Sequence, residues 1–383
     1  EVGTSQEQCE ASGCCWGPVD PNPDNEPWCF KKENAQTCPL AYSNATKTAP
    51  PFSQDEIDTM GKFFRANINV DDSGAVVAAP DYNTPGGSYF YHWERDGALS
   101  MGALLRLAHS LDDVRDDMDN YVRWVAKVHN KTDPNSLPSV LPEPKFTIPD
   151  GEPYTGGWCR PQNDGPPLRA KTLVEYANAI TGSSDNLSDA LLGGRPTVSD
   201  IWELVKVDLD WTASNYNADG CDLWEEIRST DFFWNRYTTR ASLLKGSDFA
   251  KKQGDDTRSN TYRIAAQEIE NEMKSHLETD SDGTTYVFEA ENRKKDSAVI
   301  CGMNNGNLND GVFAASGKYA AGTVKVLTDL FCTTFQVNQD DTSAGTPGVL
   351  YGRYQGDSYA GGNPWILLSS ALAELLYRGA SEM

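Results

Sequence analysis

Met101-Gly102-Ala103-Leu104-Leu105-Arg106-Leu107-Ala108-His109-Ser110-Leu111 carries the pattern that decides the fold. Met101, Leu104, Leu105, Ala108 and Leu111 fall at i, i+3, i+4, i+7 and i+10, which lines one face of an α-helix. The same period begins at Ile57, Met60 and Phe64 and returns at Ala170, Leu173, Val174 and Ala177. It continues at Val198, Ile201, Trp202, Val205 and Leu209, then at Phe233, Tyr237, Ala241 and Leu244. Tyr262, Ala265, Ala266, Ile269 and Met273 repeat it, as do Ala320, Val324, Leu327 and Phe331. Leu368, Ala371, Leu372, Leu375 and Leu376 end the series. Strand-like patterns are short, at Gly74–Ala79 and Thr285–Phe288. From Gln54 onward the chain reads as all-α, with long connections rich in Gly, Pro, Trp and Asp.

Four connections stand out: Tyr89–Asp96, Gly156–Pro166, Gly220–Glu226, and Gly352–Tyr359 with Gly362-Asn363-Pro364-Trp365. Each joins aromatic rings to acids or an Arg and leads toward a helix. A helical scaffold with such loops is suited to a site built on the loops. Sugars offer apolar faces to rings, and hydroxyls to Arg and carboxylates. Singly, each stretch reads as a buried Trp or a capping Asp; together they point to a glycan. Within Gly220-Cys221-Asp222-Leu223-Trp224-Glu225-Glu226, two adjacent carboxylates follow an indole. Read as the start of a helix, Glu225 and Glu226 point different ways and take different roles. A carboxyl buried against a ring keeps its proton to higher pH, as an acid catalyst requires.

The chain has 383 residues, a net charge of -23, 23% charged and 10% aromatic residues. That composition is globular, and the length suits one large domain plus a small one. The acidity disfavours nucleic acid, anionic membrane surfaces and polyanionic substrates, and leaves neutral polymers open. No apolar run is long enough for a membrane span. No signal peptide is visible at Glu1, which reads as a mature or trimmed product. Nine Cys and the sequons at Asn44, Asn130 and Asn186 point to an oxidising compartment and secretion. The four His have no metal-ligand spacing.

Residues 1–38 are dense in Gly, Pro and Asp, with Cys9, Cys14, Cys15, Cys29 and Cys38. Too short for a core of their own, they need disulfides. The run Cys9 to Cys14-Cys15-Trp16-Gly17, closed by Pro27-Trp28-Cys29-Phe30, resembles the second half of a trefoil (P-type) module. The resemblance implies a Cys9–Cys29 bond, with the partners of Cys14 and Cys15 preceding the chain; otherwise they pair elsewhere, as with Cys38. Residues 39–56 read as a linker, and residues 57–383 as the large domain.

Pro142-Glu143-Pro144-Lys145-Phe146, Tyr154–Pro166, Asp222-Leu223-Trp224-Glu225-Glu226 and Gly362-Asn363-Pro364-Trp365 closely resemble the fungal-type glucoamylases, family 15 of the glycoside hydrolases. The resemblance implies an (α/α)6 barrel with a pocket at one end, further helices beyond Met383, and exo-hydrolysis of α-glucans with inversion and no cofactor. It implies Glu225 as general acid, Trp158 as the indole beside it, and Arg95 and Asp96 gripping the innermost sugar next to Trp93. Tyr89 is implied in positioning water, and Asp222 and Glu226 as substrate-side carboxylates. Inversion needs a second carboxylate about 6.5–9.5 Å from the acid. The resemblance assigns it to the residue before Asp357, where Gly356 stands; Asp357 would replace it only if the loop shifted by one residue. Cys332 departs from a substrate-binding Arg, and Cys159 and Cys221 are placed to bond across the pocket. Two readings stay open: a secreted exo-α-glucosidase, and an inactive extracellular protein of this fold that binds glycan or assembles with itself or other proteins.

Overall fold

The computed structural model describes residues 5–11, 14–16, 29–31, 38–40, 52–84, 87–182 and 194–383. Among them the helices are α1 (Gln6–Ala11), α2 (Gln54–Arg65), α3 (Glu94–Leu107), α4 (Arg115–His129), α5 (Gly165–Gly182), α6 (Val198–Asn215), α7 (Phe233–Lys252), α8 (Asp256–Glu272), α9 (Ala298–Gly306), α10 (Lys318–Thr334), α11 (Gln336–Ser343) and α12 (Ile366–Glu382). The strands form two-stranded antiparallel pairs: β1 (Cys14–Trp16) with β2 (Cys29–Lys31), β3 (His92–Trp93) with β4 (Lys145–Phe146), β5 (Gly220–Cys221) with β6 (Arg228–Ser229), and β7 (Leu277–Thr279) with β8 (Thr285–Val287).

The chain divides into two compact units, Glu1–Ala45 with Thr328–Leu350, and Thr46–Leu327 with Tyr351–Met383. In the first, β1 pairs with β2 and Cys9 is disulfide-bonded. Cys38 is bonded to Cys332, which removes the alternative that it pairs with Cys14 or Cys15. The side chains of Cys14, Cys15 and Cys29 lie outside the described residues, as do the sequons at Asn44 and Asn186.

In the second unit α3, α5, α7, α9 and α12 are successive neighbours, and α4, α6 and α8 pack behind the row. The expected stripes face this core: Met101, Leu104, Ala170, Leu173, Ala177, Ile201, Val205, Leu209, Tyr237, Tyr262, Ile269 and Leu368 are all buried. Close approach is needed at Gly246, where a Cβ would lie 2.0 Å from Leu209 on α6. Arg169 on α5 is enclosed between Glu94 on α3 (2.6 Å) and Asp208 on α6 (2.5 and 2.9 Å). Burial opposes the charges, but the two carboxylates outweigh it and hold the Arg169 pKa above its ordinary value. The ion triad thereby joins three helices.

Three readings change. α2 begins at Gln54 behind a Ser53–Glu56 capping box, so the last three residues of the expected linker are its first turn. Its apolar residues leave none buried; Ile57 is 45% and Met60 46% exposed. The stripe at Met101–Leu111 outlasts its helix, because Ala108 is already the C-cap of α3 in extended conformation. Periodicity reports a face, not what covers it or where hydrogen bonding stops. Of the short strands, Thr285–Val287 forms β8, whereas Gly74–Ala79 contributes only a bridge from Val76 to Ile68.

Candidate active site

The four aromatic loops do precede helices. Residues 87–93 lead into α3, 154–164 into α5, 219–232 into α7 and 352–365 into α12. These helices stand side by side with α9 among them, so the loops meet at one end of the row. Between them is a pocket of about 570 Å³ whose lining includes Tyr89, Trp93, Arg95, Asp96, Trp158, Cys159, Trp224, Glu225, Glu226, Arg353, Tyr359 and Trp365.

Glu225 is not in the first turn of a helix, as its sequence setting suggested. It sits in the turn between β5 and β6, with φ at 66°. A left-handed glutamate is held only where its surroundings over-determine it. Here Asp222 accepts the backbone N–H groups of Glu226 (2.7 Å) and Ile227 (2.9 Å), and the Glu225 N–H bonds back to the Asp222 carbonyl (3.1 Å). Gly220 lies so close to Asn163 that a Cβ would meet its Nδ2 at 2.7 Å. The Cys159–Cys221 disulfide then joins this turn to the Trp158 loop, as the sequence suggested.

The Glu225 carboxylate is oriented through one oxygen. Its Oε1 accepts the Trp93 indole N–H (2.8 Å), the Gln162 amide (2.8 Å) and Arg95 (3.3 Å). Oε2 takes part in none of these bonds. Arg95 also donates to Gln162 (3.0 Å) and Asp164 (2.9 Å), and Asp164 accepts the buried Trp234 indole (2.8 Å). Burial works against the Arg95 charge, but Asp164 and Glu225 overcome it and raise its pKa. Burial also raises the Asp96 carboxyl, with Arg95 opposing and Glu225 reinforcing. Tyr89 stacks on Trp93 with centroids 5.6 Å apart and meets the Tyr359 hydroxyl at 3.4 Å. Burial, then that hydroxyl, keeps the Tyr89 phenol protonated to unusually high pH.

On the other wall the carboxylates are committed. Glu226 binds Arg353 (2.8 Å), Arg293 (3.0 Å) and the Tyr354 hydroxyl (2.5 Å). Asp222 is buried, spends its second oxygen on Arg293 (2.6 Å), and is not on the pocket lining. It ties down the turn that carries Glu225, where a substrate contact was expected. Asp357 is gripped by Arg353 through both oxygens (2.7 and 2.9 Å) and accepts the Tyr359 N–H. Burial raises its pKa, but those bonds prevail and lower it. Gly356 has φ at 83° and open space around it. Cys332 is in the first unit, bonded to Cys38, and not on the pocket lining.

Residues 65–383 match glycosyl hydrolases family 15. The chain belongs to this family. Residues 2–32 match the trefoil (P-type) domain. A glucoamylase from Blastobotrys adeninivorans is 33% identical over 88% of this chain and 56% of its own length. Glucoamylase 1 of Rhizopus oryzae is 31% identical over 82% of this chain and 52% of its own. The chain thus spans about half the length of these curated relatives. The solved glucoamylase of Saccharomycopsis fibuligera superposes with a TM-score of 0.73 at 26% identity, covering 88% of this chain and 74% of that one. The fold is a helical glucoamylase-like one of the (α/α)6 barrel class.

Within this family 15 chain, sequence reasoning passed over Gln162, Asp164, Lys145, Arg353, Tyr359 and Trp365. All lay in quoted motifs. Asp164 and Gln162 precede α5, where a polar residue reads as a cap. The Lys145 ammonium lies within 4.4 Å of the ring centres of Tyr91, Trp93, Tyr154 and Trp158. Burial lowers its pKa to about 8, against the pull of Glu225. Those rings come from two distant loops, so only the fold assembles the cage. Among the described residues no group of His, Cys, Asp and Glu is arranged to hold a metal ion.

Proposed function

We propose that this pocket hydrolyses α-glucosidic bonds at the non-reducing ends of starch-like α-glucans, with Glu225 as general acid and inversion to β-glucose. The observation that carries this reading is the asymmetry of the Glu225 carboxyl. Three donors hold Oε1, so Oε2 is the oxygen turned over to chemistry. A proton on Oε2 passes to the glycosidic oxygen as that bond breaks, while a water adds to the anomeric carbon from the opposite face and gives up its proton to solvent. The carboxylate left behind is already met by Arg95 and two neutral donors, so its charge needs no reorganisation. Trp158, Trp224 and Trp365 give the sugar rings apolar plates, and Arg95 and Asp96 bind hydroxyls at the innermost position. Tyr89 supports the same end. The relatives named glucoamylase agree with a neutral glucan substrate. No helix among the described residues is long and apolar enough to cross a membrane. The disulfides and the exposed sequon at Asn130, at the end of α4, support a secreted glycoprotein.

A second reading, glycan binding without turnover, draws on one observation. Gly356 has no carboxyl and the Asp357 carboxyl is closed by Arg353, so the loop expected to supply the base offers none. Asp96 and Glu226 are the other carboxylates on the lining. Glucose release from maltooligosaccharides decides between the readings, with Glu225→Gln as control. Release by the wild type, lost in the variant, supports hydrolysis. Equal release by both rejects Glu225 as the acid. Binding of maltose without release supports the second reading.

A further inference from the structure

Asp296 has no part in the roles above, yet it is 1% exposed and lies where two pocket loops meet. Its Oδ1 accepts the Ala298 N–H at the start of α9 (2.7 Å), and its two oxygens accept the Trp224 indole N–H at 3.0 and 3.1 Å. Trp224 lines the pocket and directly precedes Glu225. The backbone around Asp296 is attached to a different loop. Asp296 bridges to Tyr354, and the Gln355 N–H donates to the Lys295 carbonyl (3.1 Å). The Ser297 N–H donates to the Arg353 carbonyl (2.7 Å), and its hydroxyl to that of Gly352 (2.7 Å). The Asp296 side chain therefore holds the Glu225 turn, while its chain neighbours Lys295 and Ser297 hold the Arg353 loop.

We propose that Asp296 is a positioning residue that holds Trp224, and through it the turn bearing Glu225, against the loop bearing Arg353. Its part in catalysis rests on the reading of Glu225 as the acid. A carboxylate is required because two N–H groups converge on it; an amide turns its own N–H toward one of them. The charged and titratable groups around it are Asp222 from the acid turn, Arg293 and Glu289 from the segment after β8, and the buried Cys301 thiol on α9. Burial raises the Asp296 carboxyl to about 7, with the Ala298 and Trp224 bonds and Arg293 opposing and Asp222 reinforcing. Glu289 is pushed well above the carboxylate range by burial, then by Asp296. The Trp224 indole is thus a reporter of the Asp296 charge, because hydrogen bonds to an ionised acceptor are shorter and stronger.

The test follows the Trp224 indole N–H by nitrogen-15 NMR of the whole chain, assigned by its loss in Trp224→Phe. Its proton resonance moves downfield as pH rises through about 7 in the wild type and does not titrate in Asp296→Asn. A resonance that fails to titrate, or titrates equally in both, overturns the assignment. On maltotriose, Asp296→Asn and Trp224→Phe each lower kcat by about tenfold or more, with a smaller change in KM, as expected of a displaced catalytic group. The double variant loses no more than either single one. Unchanged kcat in Asp296→Asn, or additive losses, also overturns the proposal. A wild type that releases no glucose while Trp224 responds as stated sinks the hydrolase reading and leaves the Asp296–Trp224 tie standing.

Discussion

On one side of the pocket, Glu225 commits a single oxygen to Trp93, Gln162 and Arg95. On the other, Glu226 and Asp357 are closed by Arg353, Arg293 and Tyr354. Both walls are rich in carboxylates and rings, and they differ in what the carboxylates have left to give. Glu225, which we propose as the acid, keeps one oxygen uncommitted; Glu226 and Asp357 spend both. Adjacency in the chain does not predict which is which. Glu225 and Glu226 are neighbours and fall on opposite sides of the distinction.

Five changes test that contrast, the strongest first. Glu225→Gln keeps the shape and removes the proton. Glucose release falls by about 10²–10⁴-fold, while maltose affinity measured by calorimetry changes little. Arg353→Met leaves the Asp357 carboxylate without its cation, while Glu226 keeps Arg293. Losing one partner of a buried ion pair costs about 3–5 kcal/mol, which denaturant unfolding would show as a lower midpoint. An unchanged midpoint would mean that this wall is not held by its charges. On the Glu225 wall, Cys159→Ala with Cys221→Ala opens a bond across a sequence separation of 62 residues. A loss of about 2–4 kcal/mol is expected, again read from unfolding.

The fourth concerns pH. Burial pushes the Asp296 carboxyl up to about 7 in the folded chain, against about 3.9 when unfolded. Between these values the folded chain keeps a proton that the unfolded chain has lost. Its contribution to stability is whole below about pH 4 and is lost as pH rises through about 7, with a slope of up to about 1.4 kcal/mol per pH unit. The depressed carboxylates act in the opposite sense at lower pH, as with Asp231 at about 2. Thermal midpoints from pH 4 to 8 should fall in the wild type and fall less in Asp296→Asn. The smallest effect is expected at Gly356. With φ at 83° and open space around it, Gly356→Ala costs about 1 kcal/mol through the backbone alone; a larger loss would reveal packing on that wall.

How much of this was legible in the residues depended on range. The 3.6-residue period located the core helices, because burial of one helix face is a local pattern. Trp158, Arg95, Asp96 and Glu225 stood out because each sits in a dense, loop-like motif beside a helix, and the Cys159–Cys221 bond followed once both loops were placed at one pocket. Asp222 reads in sequence as a substrate-side carboxylate, and a carboxylate that ties down its own turn looks the same there as one that meets a sugar. The apolar residues of α2 gave the right element and the wrong burial.

The sequence by itself determined the helical class, the four site loops, and the family to which they point. Each depends on spacing within one segment, where backbone geometry sets which residues share a face. Only the tertiary structure decided which oxygen of Glu225 stays uncommitted, that Arg353 closes Asp357, that four rings enclose Lys145, and that Asp296 joins Trp224 to the Arg353 loop. These contacts range from 4 positions apart, at Arg353 and Asp357, to 132, at Trp93 and Glu225, and no local period encodes a distance across a fold.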